Sequence, residues 1–131
     1  MESMEKNLAS VTSEKRKHPR FSVDLPIKYG RTNLFFKYAR AVNASQGGLL
    51  LRLPEEMEVG QHLALKLFFP SQSELNTIKA SVRVVWTDLH MRKDWSWDYQ
   101  TGVRFVDICT EDTTLLKDFL GNLGQKTPYT A

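Results

Sequence analysis

Two clusters in this chain of 131 residues have residue types and spacings suited to binding chemistry. The first is Lys15-Arg16-Lys17-His18-Pro19-Arg20, the densest positive run in the sequence. Arg16 and Arg20 stand four apart, which puts both side chains on one side of an extended segment or a helix. Pro19 biases His18 away from helical geometry and favours the extended form. Two guanidinium groups converging in one short segment make a planar, multi-donor anion receptor. Arginine grips phosphate oxygens and the N7 and O6 edge of guanine in a bidentate manner. The plain alternative is a solvated basic run or a generic nucleic-acid patch.

The second cluster is Asn43, Ser45 and Gly48, in the order N-x-S-x-x-G. Asn43 and Ser45, two apart, project to one side of an extended segment, where short polar groups can satisfy the amide and amino edge of a purine. Gly47 and Gly48 permit a positive φ or the close approach of a ligand to bare backbone. The alternative is a polar hairpin loop whose side chains cap their own backbone.

Nothing comparable supports catalysis. There is no Ser–His–acid or Cys–His order in a supporting context and no phosphate-binding Gly-rich loop. Glu55-Glu56 reads as solvated loop charge. His18, His62 and His90 lack a metal-ligand spacing or an obvious carboxylate partner. The single cysteine, Cys109, excludes an internal disulfide and a CxxC metal knuckle, and is expected to be a small buried apolar side chain. The expectation is a non-enzyme without metal or cofactor.

The elements that must position these residues are mostly β. Leu25 to Tyr29, Leu34 to Val42, Leu49 to Leu53, His62 to Phe69, Ile78 to Trp86 and Thr101 to Val106 read as strands. In the fifth run Ile78, Ala80, Val82, Val84 and Trp86 fall on one face. Asn43 to Gly48, Pro54 to Gly60, Pro70 to Asn76 and the Trp-rich stretch from Met91 to Tyr99 read as loops. Trp95 and Trp97 in that last stretch are candidates for partner contact. Arg104 has two readings, contact with a ligand or pairing with an acid across strands, and the pairing is the one expected. The period then changes: Leu115, Leu116, Phe119, Leu120 and Leu123 form the stripe of an amphipathic helix, with Thr110 as N-cap and Gly121 and Gly124 marking its end. About six strands at intervals of roughly ten residues, with a closing helix, suggest a small antiparallel barrel. Its own side chains would fill it, so a ligand should bind outside.

Composition agrees with an ordinary globular domain: 41% apolar and 25% charged, with 18 basic against 15 acidic residues for a net +3. No run approaches a membrane span, and the polar first fourteen residues do not read as a signal peptide, so a cytoplasmic protein is expected. Lys15, Arg16, Lys17 and Arg20 account for the basic excess; the rest of the chain nearly balances.

Taken together, the two motifs are far more specific than either alone. R-x-x-x-R opening a β-rich domain, followed one hairpin later by N-x-S-x-x-G, resembles the PilZ domain family. Lys15 to Phe21 resembles the family's opening segment, and Gly60 to Pro70 its G-x-x-L-x-L-x-L strand. Val84-Val85-Trp86 and Gly102-Val103-Arg104-Phe105 are similar to its later strands. The resemblance covers about residues 15 to 123, nearly the whole chain.

The resemblance implies a bacterial receptor for cyclic di-GMP, built as a six-stranded antiparallel β-barrel with a C-terminal helix. It implies that Arg16 and Arg20 clasp the ligand and that Asn43, Ser45 and Gly48 form the barrel-side site. Lys15, Gly47 and Trp86 become secondary contacts, with Trp86 either stacking on a guanine or forming barrel wall. Asn43 stands where the family often has Asp; it can donate as well as accept. Lys15 occupies a position the family links to ligand stoichiometry, consistent with an intercalated ligand dimer.

The expected organisation is a flexible extension at 1–14, the domain at 15–123 (barrel about 21–107, helix about 110–123) and a tail at 124–131. The expected function is a second-messenger receptor whose N-terminal arginine segment orders on binding cyclic di-GMP. It would signal to a protein partner governing motility, adhesion or exopolysaccharide, and hence biofilm. One alternative is a PilZ-like interaction module without nucleotide binding, although such relatives generally lack the arginine pair. Another is a basic barrel for single-stranded nucleic acid, with Phe35, Phe36 and Tyr38 as stacking platform, which the local character of the positive charge disfavours.

Overall fold

Leu63, Leu65, Leu67 and Phe69 are separated by single residues, and a period-two apolar row can be buried as a unit only in a strand. The same logic runs through the computed structural model, which describes residues 19–31, 37–71 and 73–126. Lys15, Arg16, Lys17, His18, Leu34, Phe35 and Phe36 lie outside the described residues. The elements are β1 (Phe21–Gly30), β2 (Lys37–Ala44), β3 (Gly48–Leu53), β4 (His62–Ser71), β5 (Glu74–Met91), β6 (Trp97–Ile108) and the helix α1 (Thr110–Lys126). All strand pairs are antiparallel, in the order β1-β2-β3-β6-β5-β4, and the β1–β4 pair closes the sheet into a barrel. The mainly β fold with one C-terminal helix is the one expected.

Inward-facing rows fill the barrel: Ile27 and Tyr29 from β1, Leu49, Leu51 and Leu53 from β3, Leu63, Leu65, Leu67 and Phe69 from β4, and Ile78, Val82 and Val84 from β5. Each such side chain stabilises the fold by about 1.5–3 kcal/mol through its removal from water. The helix closes one end. Leu116 and Leu120 are buried, and the Phe119 ring lies 4.6 Å from that of Phe69. The Lys79 N–H donates to the Asp112 carboxylate at 3.0 Å, tying the first helical turn to β5.

The helix departs from expectation at both ends. The Thr113 N–H donates to the Cys109 carbonyl at 2.9 Å, so Thr110 lies inside the first turn and is not its cap. Gly121 does not end the helix, which continues to Lys126; a Cβ at Gly121 would meet nothing within 4 Å. Cys109 is exposed because it sits in the single-residue link between β6 and α1, outside the barrel wall.

Two expected loops are shorter than the sequence suggests, with strand extending into each. The β4–β5 connection is a tight turn, with Ser73 in the left-handed region at φ 69°. The β5–β6 hairpin turns only between Arg92 and Ser96, whose N–H and carbonyl meet at 2.8 Å. Trp97 to Tyr99 therefore belong to β6. This hairpin extends beyond the barrel: β3 stops at the Leu53–Tyr99 pair, while β5 and β6 continue to Met91–Trp97. Trp95 and Trp97 are exposed on it.

Glu55 is no idle loop charge. It accepts a hydrogen bond from the Tyr29 hydroxyl at 2.9 Å and pairs with Lys37, pinning the β3–β4 connection to β1 and β2. Burial, reinforced by the Glu55 carboxylate, pushes the Tyr29 phenol well above its ordinary range. The Lys37 hydrogen bond in turn holds Glu55 below the usual carboxylate value.

Candidate functional site

A bulge decides where Asn43 points. Strict alternation along β2 would put residues 41 and 43 on one face, yet Ala41 and Ala44 are the buried ones. The register shifts between Ala41 and Asn43, and this extra residue turns Asn43 to the outside of the barrel. Among the described residues the Asn43 amide has no hydrogen-bond partner.

The same device acts on Trp86. Alternation from Ile78 predicts an inward side chain, but the β5–β6 register shifts between Val84 and Trp86, and Thr87 takes the inward place opposite buried Thr101. Trp86 faces out and is 43% exposed. Its indole lies over Gly102, where a Cβ would come within 2.3 Å of Nε1. Asn43, Leu50, Gly102 and Trp86 are successive cross-strand partners on β2, β3, β6 and β5. They form one outward-facing row, with Asn43 at one end, the indole at the other and a shallow apolar floor between.

Ser45 and Gly48 shape the rim of this row. The Ser45 N–H donates to the Gly48 carbonyl at 3.0 Å, and Ser45 Oγ accepts from the Gly47 and Gly48 amides at 3.1 and 3.2 Å. The Phe105 N–H donates to the Gly47 carbonyl at 3.0 Å, fastening the turn to β6. The side chain of Ser45 thus caps its own backbone. Gly48 does not use a positive φ; a Cβ there would lie 2.1 Å from the Val103 carbonyl oxygen, so a close approach of β3 to β6 excludes any side chain.

The two sequence motifs meet through register. Phe21, the first residue of β1, pairs with Ala44, the last of β2. Arg20 immediately precedes this pair, exposed, beside the turn that begins at Ser45. Arg16 and Lys15 lie outside the described residues.

Some chemistry escaped sequence reasoning. His90 does have a carboxylate partner: its Nδ1 is 3.2 Å from the buried Asp98, which also faces Arg52 and Arg92 at 3.7 and 3.8 Å. The register of the long hairpin sets His90 opposite Asp98, and Arg52 reaches the same carboxylate from β3. Arg104 is not opposite an acid either; its partner on β5 is Arg83. Among the described residues no group of three or more His, Cys, Asp or Glu could hold a metal, and no helix is long and apolar enough to cross a membrane.

The family model of the PilZ domain matches residues 14–122, and the chain belongs to that family. No curated protein matches the sequence. Among solved structures, the inhibitor of motility MotI/DgrA of Bacillus subtilis is similar with a TM-score of 0.72 at 15% identity, over 86% of this chain and 52% of that one. The PilZ domain of Escherichia coli YcgR, solved with c-di-GMP, is similar at 0.68 and 12% identity, over 88% and 96% respectively. The K. pneumonia MrkH–c-di-GMP complex follows at 0.66 and 16%, over 89% and 55%. The chain spans about half of MotI and MrkH and nearly all of the YcgR domain.

Proposed function

We propose that this PilZ domain is a receptor for cyclic di-GMP that binds on the outside of the barrel, over the Asn43–Trp86 row. The observation that carries the reading is the convergence of an outward Asn43 amide, a capped Ser45–Gly48 turn and Arg20 at the start of β1. The ligand class fits the names of two similar structures, YcgR and MrkH, both solved with c-di-GMP.

In this reading Asn43 reads a guanine edge, and the indole of Trp86 offers a face for stacking. Ser45 holds the Gly47 and Gly48 turn in shape. Arg16 and Arg20 clasp guanine and phosphate from the other side, with Lys15 adding a phosphate contact and room for a second, intercalated ligand. Because half of the contacts come from the segment before β1, ligand favours the arrangement in which residues 15–20 lie against the barrel. That population shift is the signal. The altered surface then engages a cytoplasmic protein partner in motility, adhesion or exopolysaccharide control, and biofilm with it; MotI is named as an inhibitor of motility. The domain acts by binding and carries out no reaction.

Calorimetric titration with cyclic di-GMP tests this directly. Saturable binding is expected, and Arg20→Ala should weaken it by about 2 kcal/mol, the worth of a charge-assisted contact. Absence of saturation in the wild-type chain would reject the receptor reading; an unchanged affinity in R20A would reject the clasp.

A further inference from the structure

One row beyond Gly102 and Trp86, the outer face carries two opposed cations. Arg104 on β6 pairs with Gly48 on β3 and with Arg83 on β5, and Arg83 pairs in turn with His62 on β4. Both arginines face outward, since their neighbours Val82, Val84 and Val103 are buried, and both are exposed. Directly opposed side chains in an antiparallel pair have Cβ atoms about 5 Å apart, where like charges repel and destabilise the sheet. Among the described residues neither guanidinium has a hydrogen-bond or ion-pair partner. On the β3 side Arg104 faces a glycine, so no side chain of β3 covers it.

From this we infer that Arg83 and Arg104 form an oxyanion subsite continuous with the Asn43–Trp86 row, and that it receives a phosphate of the nucleotide bound there. The inference rests on the receptor reading above and adds residues that neither sequence motif contains. Arg104 stands two residues from Gly102 on the same face of β6, about 6.7 Å along the strand. That offset matches the span from a purine ring on the Leu50–Gly102 floor to its own phosphate. An oxygen placed between two guanidinium forks accepts charge-assisted hydrogen bonds from both and removes their mutual repulsion. The arrangement is therefore poor for the empty barrel and good for the occupied one. A purely structural pair would be the reverse.

The full chain serves for the test, titrated with cyclic di-GMP as wild type, Arg83→Gln, Arg104→Gln and, as a matched loss of one charge elsewhere, Lys79→Gln. R83Q and R104Q should each weaken binding about tenfold, the usual worth of one charge-assisted contact. Both should melt at or above the wild-type temperature without ligand, and K79Q should bind like wild type. In the wild-type chain, the Nε–H signals of Arg83 and Arg104 should move on titration together with the Asn43 and Gly47 amides. If the amides move and the two arginine signals do not, or if R83Q and R104Q bind like wild type, the subsite is wrong while the receptor reading stands. If R83Q and R104Q weaken binding only as much as K79Q, the effect is general electrostatics and the subsite is again rejected. If the wild-type chain shows no binding at all, both readings fall together.

Discussion

Gly48 and Gly102 have different reasons to be glycine, and substituting them separates the barrel from the site. At Gly48 a methyl group would meet the backbone of β6, with the Val103 carbonyl oxygen 2.1 Å away. Strands cannot yield cheaply, so Gly48→Ala should cost about 2 kcal/mol of stability, measured by urea denaturation. At Gly102 the atoms in the way belong to the Trp86 indole, a side chain able to swing aside. Gly102→Ala should leave the unfolding midpoint within the small range of a tolerated change, shift the tryptophan fluorescence and weaken cyclic di-GMP binding. Unaltered fluorescence in G102A would mean that the indole does not lie over this glycine. The motif N-x-S-x-x-G thus divides its labour: the Asn43 amide has no partner among the described residues, while Ser45 and Gly48 build the turn that presents it. The order of residue types was legible in the sequence, but which of them is spent on the backbone was not, since that depends on hydrogen bonds closing over three residues.

The strands themselves were readable because alternation of Leu, Val and Ile along β3, β4 and β5 leaves only one face to bury. The bulges were not. A single extra residue in β2 and another in β5 reverse the facing of everything beyond them, and neither Val42 nor Val85 differs in kind from its neighbours. Those two irregularities carry Asn43 and Trp86 onto the surface, so the site depends on the part of the pattern that periodicity cannot supply. The same limit hides Trp97 to Tyr99: the hairpin outruns the barrel, and the buried side chain there, Asp98, is a carboxylate that apolar alternation does not reveal. The helix was legible through its apolar stripe. Leu116 is 2% exposed, and Leu116→Ala should lower stability by about 3 kcal/mol in denaturant titration, with the site's row left in place.

For the molecule as a whole, charge placement matters more than charge count. The net +3 suggested that basic character resides at residues 15–20. Folding gathers further cations that the sequence disperses: Arg83 and Arg104 face each other, and Lys28, Lys66 and Lys79 share a row across β1, β4 and β5. Acids are used locally, as with Glu55 at the end of the barrel away from the helix. The fold favours ionised Glu55, whose value lies below its ordinary 4.5, so its contribution is present above that pH and is lost as the pH falls through the lowered folded value. Glu55→Gln should therefore lose up to about 1 kcal/mol at neutral pH and converge with wild type in acid. A constant difference down to low pH would show that the charge of Glu55 is not what holds the connection. Tyr29 acts oppositely: its neutral form is favoured, so its contribution holds at neutral pH and is lost as the pH rises above 10.0.

In the proposed reading one ligand joins the two motifs across the outside of the barrel. Amide and indole shifts recorded while cyclic di-GMP is added to the full chain test it most directly. Saturable shifts are expected at Arg20, Asn43, Gly47 and the Trp86 indole, with those of the remote Glu55 connection unmoved. Shifts confined to one motif, or no saturable shift at micromolar ligand, would contradict it.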